Sequence, residues 1–185
     1  MAIFRKSVFL GICLVVVGVG LGLICLKAKK PRISPSPTHR VSLPTPTPKP
    51  IKANLSLYPL SSNLKVGQVF SVDIVLDTKG LEVDAADVIL DYDRKLLQVQ
   101  KMVPGNFFDT FPVVASEGGK IQFSGLVSPK NGKPQTVSGK GKVGTILFQT
   151  LMRGEAKVEF SPESVVAKGG ENVLGETLGG RYIVR

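Results

Sequence analysis

Apolar and polar residues follow three regimes along the chain. Ser7 to Leu26 is an unbroken apolar run, bracketed by Arg5 and Lys6 before it and by Lys27, Lys29 and Lys30 after it. Residues 27–53 have no apolar period. From Asn54 onward, short runs alternate with period two, which turns one face of a strand to a core and the other to solvent. Leu55, Leu57 and Pro59 alternate with Ser56 and Tyr58; Phe70, Val72, Ile74 and Leu76 share a face. Ala86, Val88, Leu90 and Tyr92 share another, with Ala85, Asp87, Ile89 and Asp91 opposite. Leu97 and Val99 follow with Lys101, then Ile121 with Phe123, Ile146 with Phe148, Val158 with Phe160, and Tyr182 with Val184. Glycine turns such as Lys65-Val66-Gly67, Thr78-Lys79-Gly80, Lys130-Asn131-Gly132 and Gly169-Gly170 separate the runs. No sustained helical stripe interrupts them. The pattern predicts an all-β, antiparallel two-sheet sandwich of about nine strands, a jelly roll. Tyr58, Tyr92 and Tyr182 read as partly core-facing.

The apolar run has another use. A hydrocarbon core of roughly 30 Å takes about 20 helical residues to cross. The expected order is a short basic N-terminus (1–6), a membrane-spanning signal-anchor helix (7–26), a linker (27–53) and one β-sandwich domain (54–185). A cleaved secretory signal is the alternative, but the run exceeds the usual signal core and no A-x-A pattern follows it. Cys13 and Cys25 lie inside the run, each after an isoleucine where a lipidation signal wants a small residue, and read as apolar fillers. Gly18 and Gly22 have the spacing that lets two membrane helices pack closely, a pattern also common by chance. Orientation is contested. Two basic residues precede the run and five follow (Lys27, Lys29, Lys30, Arg32, Arg40), which taken alone keeps the C-terminal part cytoplasmic. Linker composition, and a resemblance given below, favour a single-pass protein of the cell membrane with its C-terminal domain outside the cell.

Seven of the 13 prolines fall in residues 27–53, alternating with Ser and Thr. Proline fixes φ and donates no hydrogen bond, so this segment enters neither helix nor central strand. It reads as an extended spacer reaching roughly 80 Å at most, at about 3.1 Å per residue. The same segment changes the meaning of the +10 formal charge. Residues 1–53 hold nine Lys or Arg and no acid, leaving 15 bases against 14 acids in 54–185. The predicted domain is nearly neutral and has no basic stripe interleaved with aromatics, so no nucleic-acid partner is expected.

Catalytic chemistry finds little support. The only His, His39, lies in the linker and both Cys lie in the apolar run, which excludes a Ser-His-Asp triad, a Cys-His pair and a His-based zinc site from 54–185. Ser62 and Lys65 form an S-x-x-K without the helix that motif needs. Asp91 and Asp93 are adjacent carboxylates without a second pair, and with Asp87 they are the weak candidates for Ca²⁺ through hard oxygen ligands. No enzyme activity and no other cofactor is expected. A sugar platform would need exposed aromatics. The chain has no Trp, and Phe107, Phe108 and Phe111 form the one possible sugar-binding loop, with packing over the sandwich edge as its other reading.

The stretch Asp84-Ala85-Ala86-Asp87-Val88-Ile89-Leu90-Asp91-Tyr92-Asp93-Arg94-Lys95-Leu96-Leu97-Gln98-Val99 resembles the most recognisable segment of cohesin domains: an alternating strand, Tyr-Asp-Pro, then a Leu-x-Val strand. Val103-Pro104-Gly105-Asn106-Phe107-Phe108 is similar to the Pro-Gly turn that follows in that family. Gly119-Lys120-Ile121-Gln122-Phe123, the segment Gly139 to Phe148, and Lys65 to Val72 resemble further strands in the family's order. The resemblance covers essentially all of 54–185. It implies a nine-stranded jelly roll related to cellulose-binding modules, and a non-catalytic module docking a dockerin-type partner at a cell surface, within polysaccharide-degrading or other surface assemblies. Asp87 matches a recognition aspartate of type I members. Ala85 stands where those members often carry Asn, and Arg94 replaces the proline of Tyr-Asp-Pro. The implied partner-binding set is Ala85, Asp87, Ile89, Asp91 and Leu147, read as one outward face. A carbohydrate-binding module of the envelope and a structural envelope domain are the alternatives.

Overall fold

The computed structural model describes residues 50–185; the apolar run at 7–26 and residues 27–49 of the linker lie outside them. The alternating runs form strands in two facing sheets. The first sheet has the order β12 (Leu174–Leu178), β1 (Ala53–Tyr58), β3 (Val69–Asp77), β8 (Lys140–Thr150) and β5 (Leu97–Pro104). The second is centred on β4 (Ala85–Tyr92), which pairs along one edge with β7 (Lys120–Leu126), itself paired to β6 (Thr110–Glu117). Along its other edge β4 pairs first with β10 (Val165–Lys168), then with β9 (Gly154–Phe160). Beyond these lie β11 (Glu171–Asn172), β13 (Gly180–Val184) and β2 (Ser61–Leu64).

The described residues thus hold thirteen strands where about nine are expected from the pattern. The strands without a counterpart among the alternating runs are β2, β6, β10, β11 and β12, which are short or mostly solvated and show no apolar alternation. The strands that are legible in the sequence have the predicted inner face, β5 only as far as Val99. Val72, Ile74, Leu76, Val88, Leu90, Ile121, Phe123, Ile146, Phe148 and Val158 are completely buried. Each such side chain contributes about 1.5–3 kcal/mol relative to an exposed position. An aromatic group ties the sheets together: the Phe70 ring lies 4.9 Å from Tyr182 and 5.8 Å from Phe148, and Tyr92 meets Phe148 edge-on at 5.5 Å.

Two alternation readings need correction. Tyr58 is 69% exposed, because its strand turns it outward with Ser56 while Leu55 and Leu57 fill the core. Lys101 does not continue the Leu97–Val99 row in register. A bulge between Val99 and Lys101 shifts the strand by one residue, so that Met102 packs against the core.

Candidate functional site

Strand β4 places Ala86, Val88 and Leu90 in the core and presents Ala85, Asp87, Ile89 and Asp91 half-exposed on the outer surface of the second sheet. Register then fixes their neighbours. Asp87 faces Ser124 of β7 on one side and Val165 of β10 on the other; Ile89 faces Gln122, and Ala85 faces Leu126 and Ala167. Val113 and Ala115 of β6 extend the same surface beyond Ser124 and Gln122. The central part of this face carries one formal charge, Asp87. Charged residues lie towards its Asp91 end, where Glu117 and Asp91 flank Lys120, the Lys120 ammonium pairs with Glu163 at 3.1 Å, and Glu159 of β9 faces Asp91.

The Asp87 carboxylate is held by two side chains of β7. Gln122 Nε2 donates to both oxygens at 2.9 and 3.2 Å, and Ser124 Oγ donates to Oδ1 at 2.7 Å. Gln122 Nε2 also lies 3.2 Å from Ser124 Oγ. A carboxylate fixed by two charge-assisted donors presents its remaining lone pairs in a set direction. Two shallow depressions flank it. One, of about 250 Å³, is lined mainly by apolar groups: Ala85, Pro112, Leu126, Val165 and Ala167. The other, of about 410 Å³, is lined by Ile89, Ala115 and Gln122 and closed by Glu117, Lys120 and Glu163.

Ser164 supports this surface from below and carries no sequence signature. Strand β4 changes partner from β10 to β9 at Ile89, which would leave the Ile89 backbone groups outside either ladder. The buried Ser164 hydroxyl accepts the Ile89 N–H at 3.0 Å and donates to the Ile89 carbonyl at 3.0 Å, and the Ser161 N–H donates to the same carbonyl at 2.8 Å. Gln122 and Ser124 were legible only as solvent-facing positions of an alternating strand. Nothing local in the sequence pairs them with a residue more than 30 positions away.

The expected five-residue face is divided. Ala85, Asp87, Ile89 and Asp91 come together on β4, but Leu147 does not join them. It is half-buried on β8, facing Ser71 and Lys101, in the opposite sheet. Both outward assignments are correct as to strand face; alternation leaves open which sheet a strand joins.

The aromatic loop is internal. Phe107 is 8% and Phe108 3% exposed, with Phe111 partly buried against the same core. Phe107 and Phe108 meet edge-on at 5.1 Å, and Phe108 and Phe111 at 6.3 Å. Room for the rings comes from missing side chains: a Cβ on Gly141 would stand 2.5 Å from Phe107 Cδ2, and one on Gly125 2.6 Å from Phe108 Cδ2. These rings pack over the sandwich edge and offer no stacking face to a sugar. Asp109 fastens the loop by accepting the Ser128 N–H at 2.8 Å, which holds its carboxyl below the usual range.

Asp91 and Asp93 do not share a strand face. Asp93 lies beyond the end of β4, where its Oδ1 accepts the Lys95 N–H at 2.8 Å and its carbonyl accepts from Leu96 and Leu97. Its carboxylate serves that turn. Both residues border a depression with Glu155, Lys157 and Glu159. Among the described residues no three Asp, Glu, His or Cys side chains converge closely enough to hold a metal ion. Ser62 lies on β2 and Lys65 in the following turn, so S-x-x-K has no helix here.

No family model and no curated protein matches the sequence. Solved structures do match the fold. The sandwich is similar to a non-cellulosomal cohesin from the archaeon Archaeoglobus fulgidus, with a TM-score of 0.58 and 18% identity over 72% of this chain and 91% of that one. It is similar to the cohesin of a type I Coh-OlpC–Doc435 cohesin–dockerin complex from Clostridium thermocellum, with a TM-score of 0.60 and 13% identity over 75% and 97% of the two chains. It is also similar to the cohesin module of a family 33 glycoside hydrolase from Clostridium perfringens, with a TM-score of 0.59 and 12% identity over 74% and 98%. The expected fold is therefore observed: residues 53–184 form an all-β sandwich with the architecture of cohesin modules.

Proposed function

We propose that the sandwich is a non-catalytic docking module that takes a dockerin-type protein partner on the β4–β7 face around Asp87. The observation carrying this reading is the arrangement of that face: small apolar side chains and two depressions around a single ordered carboxylate, with charges at the margin. Protein interfaces have this anatomy, a core depleted in charge inside a polar rim. Sugar recognition is less well served, because this face carries no exposed aromatic ring among the described residues, Phe107 and Phe108 are buried and Phe111 is partly buried against them. The Coh-OlpC structure, of the same fold, is a complex with a dockerin. With residues 7–26 in a membrane and 27–53 as a spacer, the module would hold its partner at a cell surface.

The test is binding of the full chain to a panel of dockerin modules, by calorimetry, with Asp87→Lys and Ile89→Asp variants. Both side chains sit on the outer face, so the variants are expected to fold. Each should weaken capture at least tenfold. Leu147→Asp, on the opposite sheet, should leave capture unchanged. Binding that survives Asp87→Lys but fails with Leu147→Asp would move the site to the first sheet. Absence of binding to every dockerin, with retention on insoluble polysaccharide, would reject a protein partner.

A further inference from the structure

At the end of the sandwich remote from Ala53, three turns form one surface. They are Lys65–Gln68 between β2 and β3, Asp93–Leu96 between β4 and β5, and Leu151–Arg153 between β8 and β9. Strand β3 runs the length of the sheet, from Val69 beside Gln149 at this end to Asp77 beside Asn54 at the other. Backbone hydrogen bonds lace the turns together. The Gly67 N–H donates to the Thr150 carbonyl at 2.9 Å, the Thr150 N–H to the Gln68 carbonyl at 3.0 Å, and the Leu151 N–H to the Leu96 carbonyl at 2.8 Å. The buried Thr150 hydroxyl adds a 2.6 Å bond to the Lys65 carbonyl.

What these turns expose is unusual in combination. Val66 is 47%, Leu151 39% and Met152 57% exposed. Lys65, Arg94, Lys95 and Arg153 surround them, all exposed and none in an ion pair among the described residues. The acids at this end are Glu117, on the neighbouring turn, Asp93, whose Oδ1 already accepts the Lys95 N–H, and Glu155, which pairs with Arg181 at 3.1 Å. The Lys65–Gln68 turn stands open to solvent: a Cβ on Gly67 would meet no atom within 4 Å.

We propose that this end is a membrane-contact tip that rests on an anionic lipid surface. Val66, Leu151 and Met152 enter the headgroup boundary while the four cations meet lipid phosphates. Apolar side chains flanked by Lys and Arg gain from both terms at such an interface. Four exposed cations outside any ion pair complement the phosphates of an anionic bilayer, and a fluid surface can meet three separate turns at once. The tip lies at the end of the sandwich and the Asp87 face on the outer surface of the second sheet, and the two adjoin at the Glu117–Lys120 turn. The proposal depends neither on dockerin binding nor on the reading of residues 7–26.

The chain lacks tryptophan, so Met152→Trp supplies a single reporter. The full chain carrying it is reconstituted into phosphatidylcholine vesicles and into vesicles containing phosphatidylglycerol. The expected result is a blue shift of emission, and quenching by brominated lipid, in the anionic vesicles only. Both should vanish at about 1 M salt, where the Debye length falls to about 3 Å, and in the Arg94→Glu, Lys95→Glu, Arg153→Glu triple variant. Thr136→Trp, at the opposite end, should keep water-like emission throughout. Equal emission at residue 152 in both lipids would overturn the proposal. So would a blue shift at residue 136, or a shift produced by soluble polyphosphate without quenching by brominated lipid.

Discussion

Replacing Tyr182 by Phe removes one oxygen atom and gives a stability effect whose size depends on pH. The ring is completely buried on β13, packs on Phe70, and its hydroxyl donates to the Pro59 carbonyl at 2.9 Å. At neutral pH the variant loses a hydrogen bond worth about 0.5–1.5 kcal/mol net and leaves a half-buried acceptor short of a partner, so a total near 1–2 kcal/mol is expected. For a domain of this size that lowers the melting temperature by roughly 3–6 °C per kcal/mol. Alkaline pH acts on the wild type. Burial pushes the Tyr182 pKa well above its ordinary value, because the phenolate is disfavoured away from water. A group whose folded pKa is raised stabilises fully below the unfolded pKa, near 10, and its contribution is lost as pH rises beyond that point. By pH 11 the unfolded chain gains about 1.4 kcal/mol from this one ionisation. The phenylalanine variant has no such ionisation. Its deficit of about 1–2 kcal/mol at pH 7 should therefore shrink to about zero at pH 11. Urea denaturation of both proteins at pH 7, 9, 10 and 11 measures this. A deficit that stays constant across the series would mean that the hydroxyl titrates in solvent, and would refute the buried placement.

Phe108→Ala should cost about 3–5 kcal/mol, as truncations of buried aromatic rings do, and should appear as a large loss of urea resistance; a change below about 1 kcal/mol would return the ring to the surface. Asp77 accepts the Lys79 N–H at 3.0 Å and pairs with the Lys79 ammonium at 3.0 Å, and these contacts, the backbone one first, lower its pKa. Its contribution is present above the unfolded carboxylate pKa of about 3.9 and is lost as pH falls through the lower folded value. Asp77→Asn should accordingly flatten the acid limb of the stability profile, and so should Asp109→Asn, whose carboxylate accepts the Ser128 N–H. Gly125→Val should drive Phe108 out of its place, since even a Cβ there would stand 2.6 Å from the ring. It should lower the melting temperature sharply, while Gly118→Ala, with open space around it, should cost only the strain of its positive φ, roughly 1 kcal/mol.

The sequence by itself determined the inner faces of the regularly alternating strands, because a strand's side chains alternate strictly and burial on one side writes itself as period two. Val72, Ile74 and Leu76, or Ala86, Val88 and Leu90, could hardly have faced elsewhere once their strands formed. It also placed Asp87 and Ile89 on an outer face. Alternation, however, says in or out and never which sheet, and so Leu147 and Asp87 read as neighbours although opposite sheets hold them. The partners of Asp87 are 35 and 37 residues away, and their meeting is a matter of register between β4 and β7. Strands β6, β10 and β12 lie at margins, where little apolar surface is buried and no pattern is imposed. The same holds for the three turns at the far end: each looks like an ordinary loop, and only the folding of distant segments onto one another makes a single amphipathic surface of them.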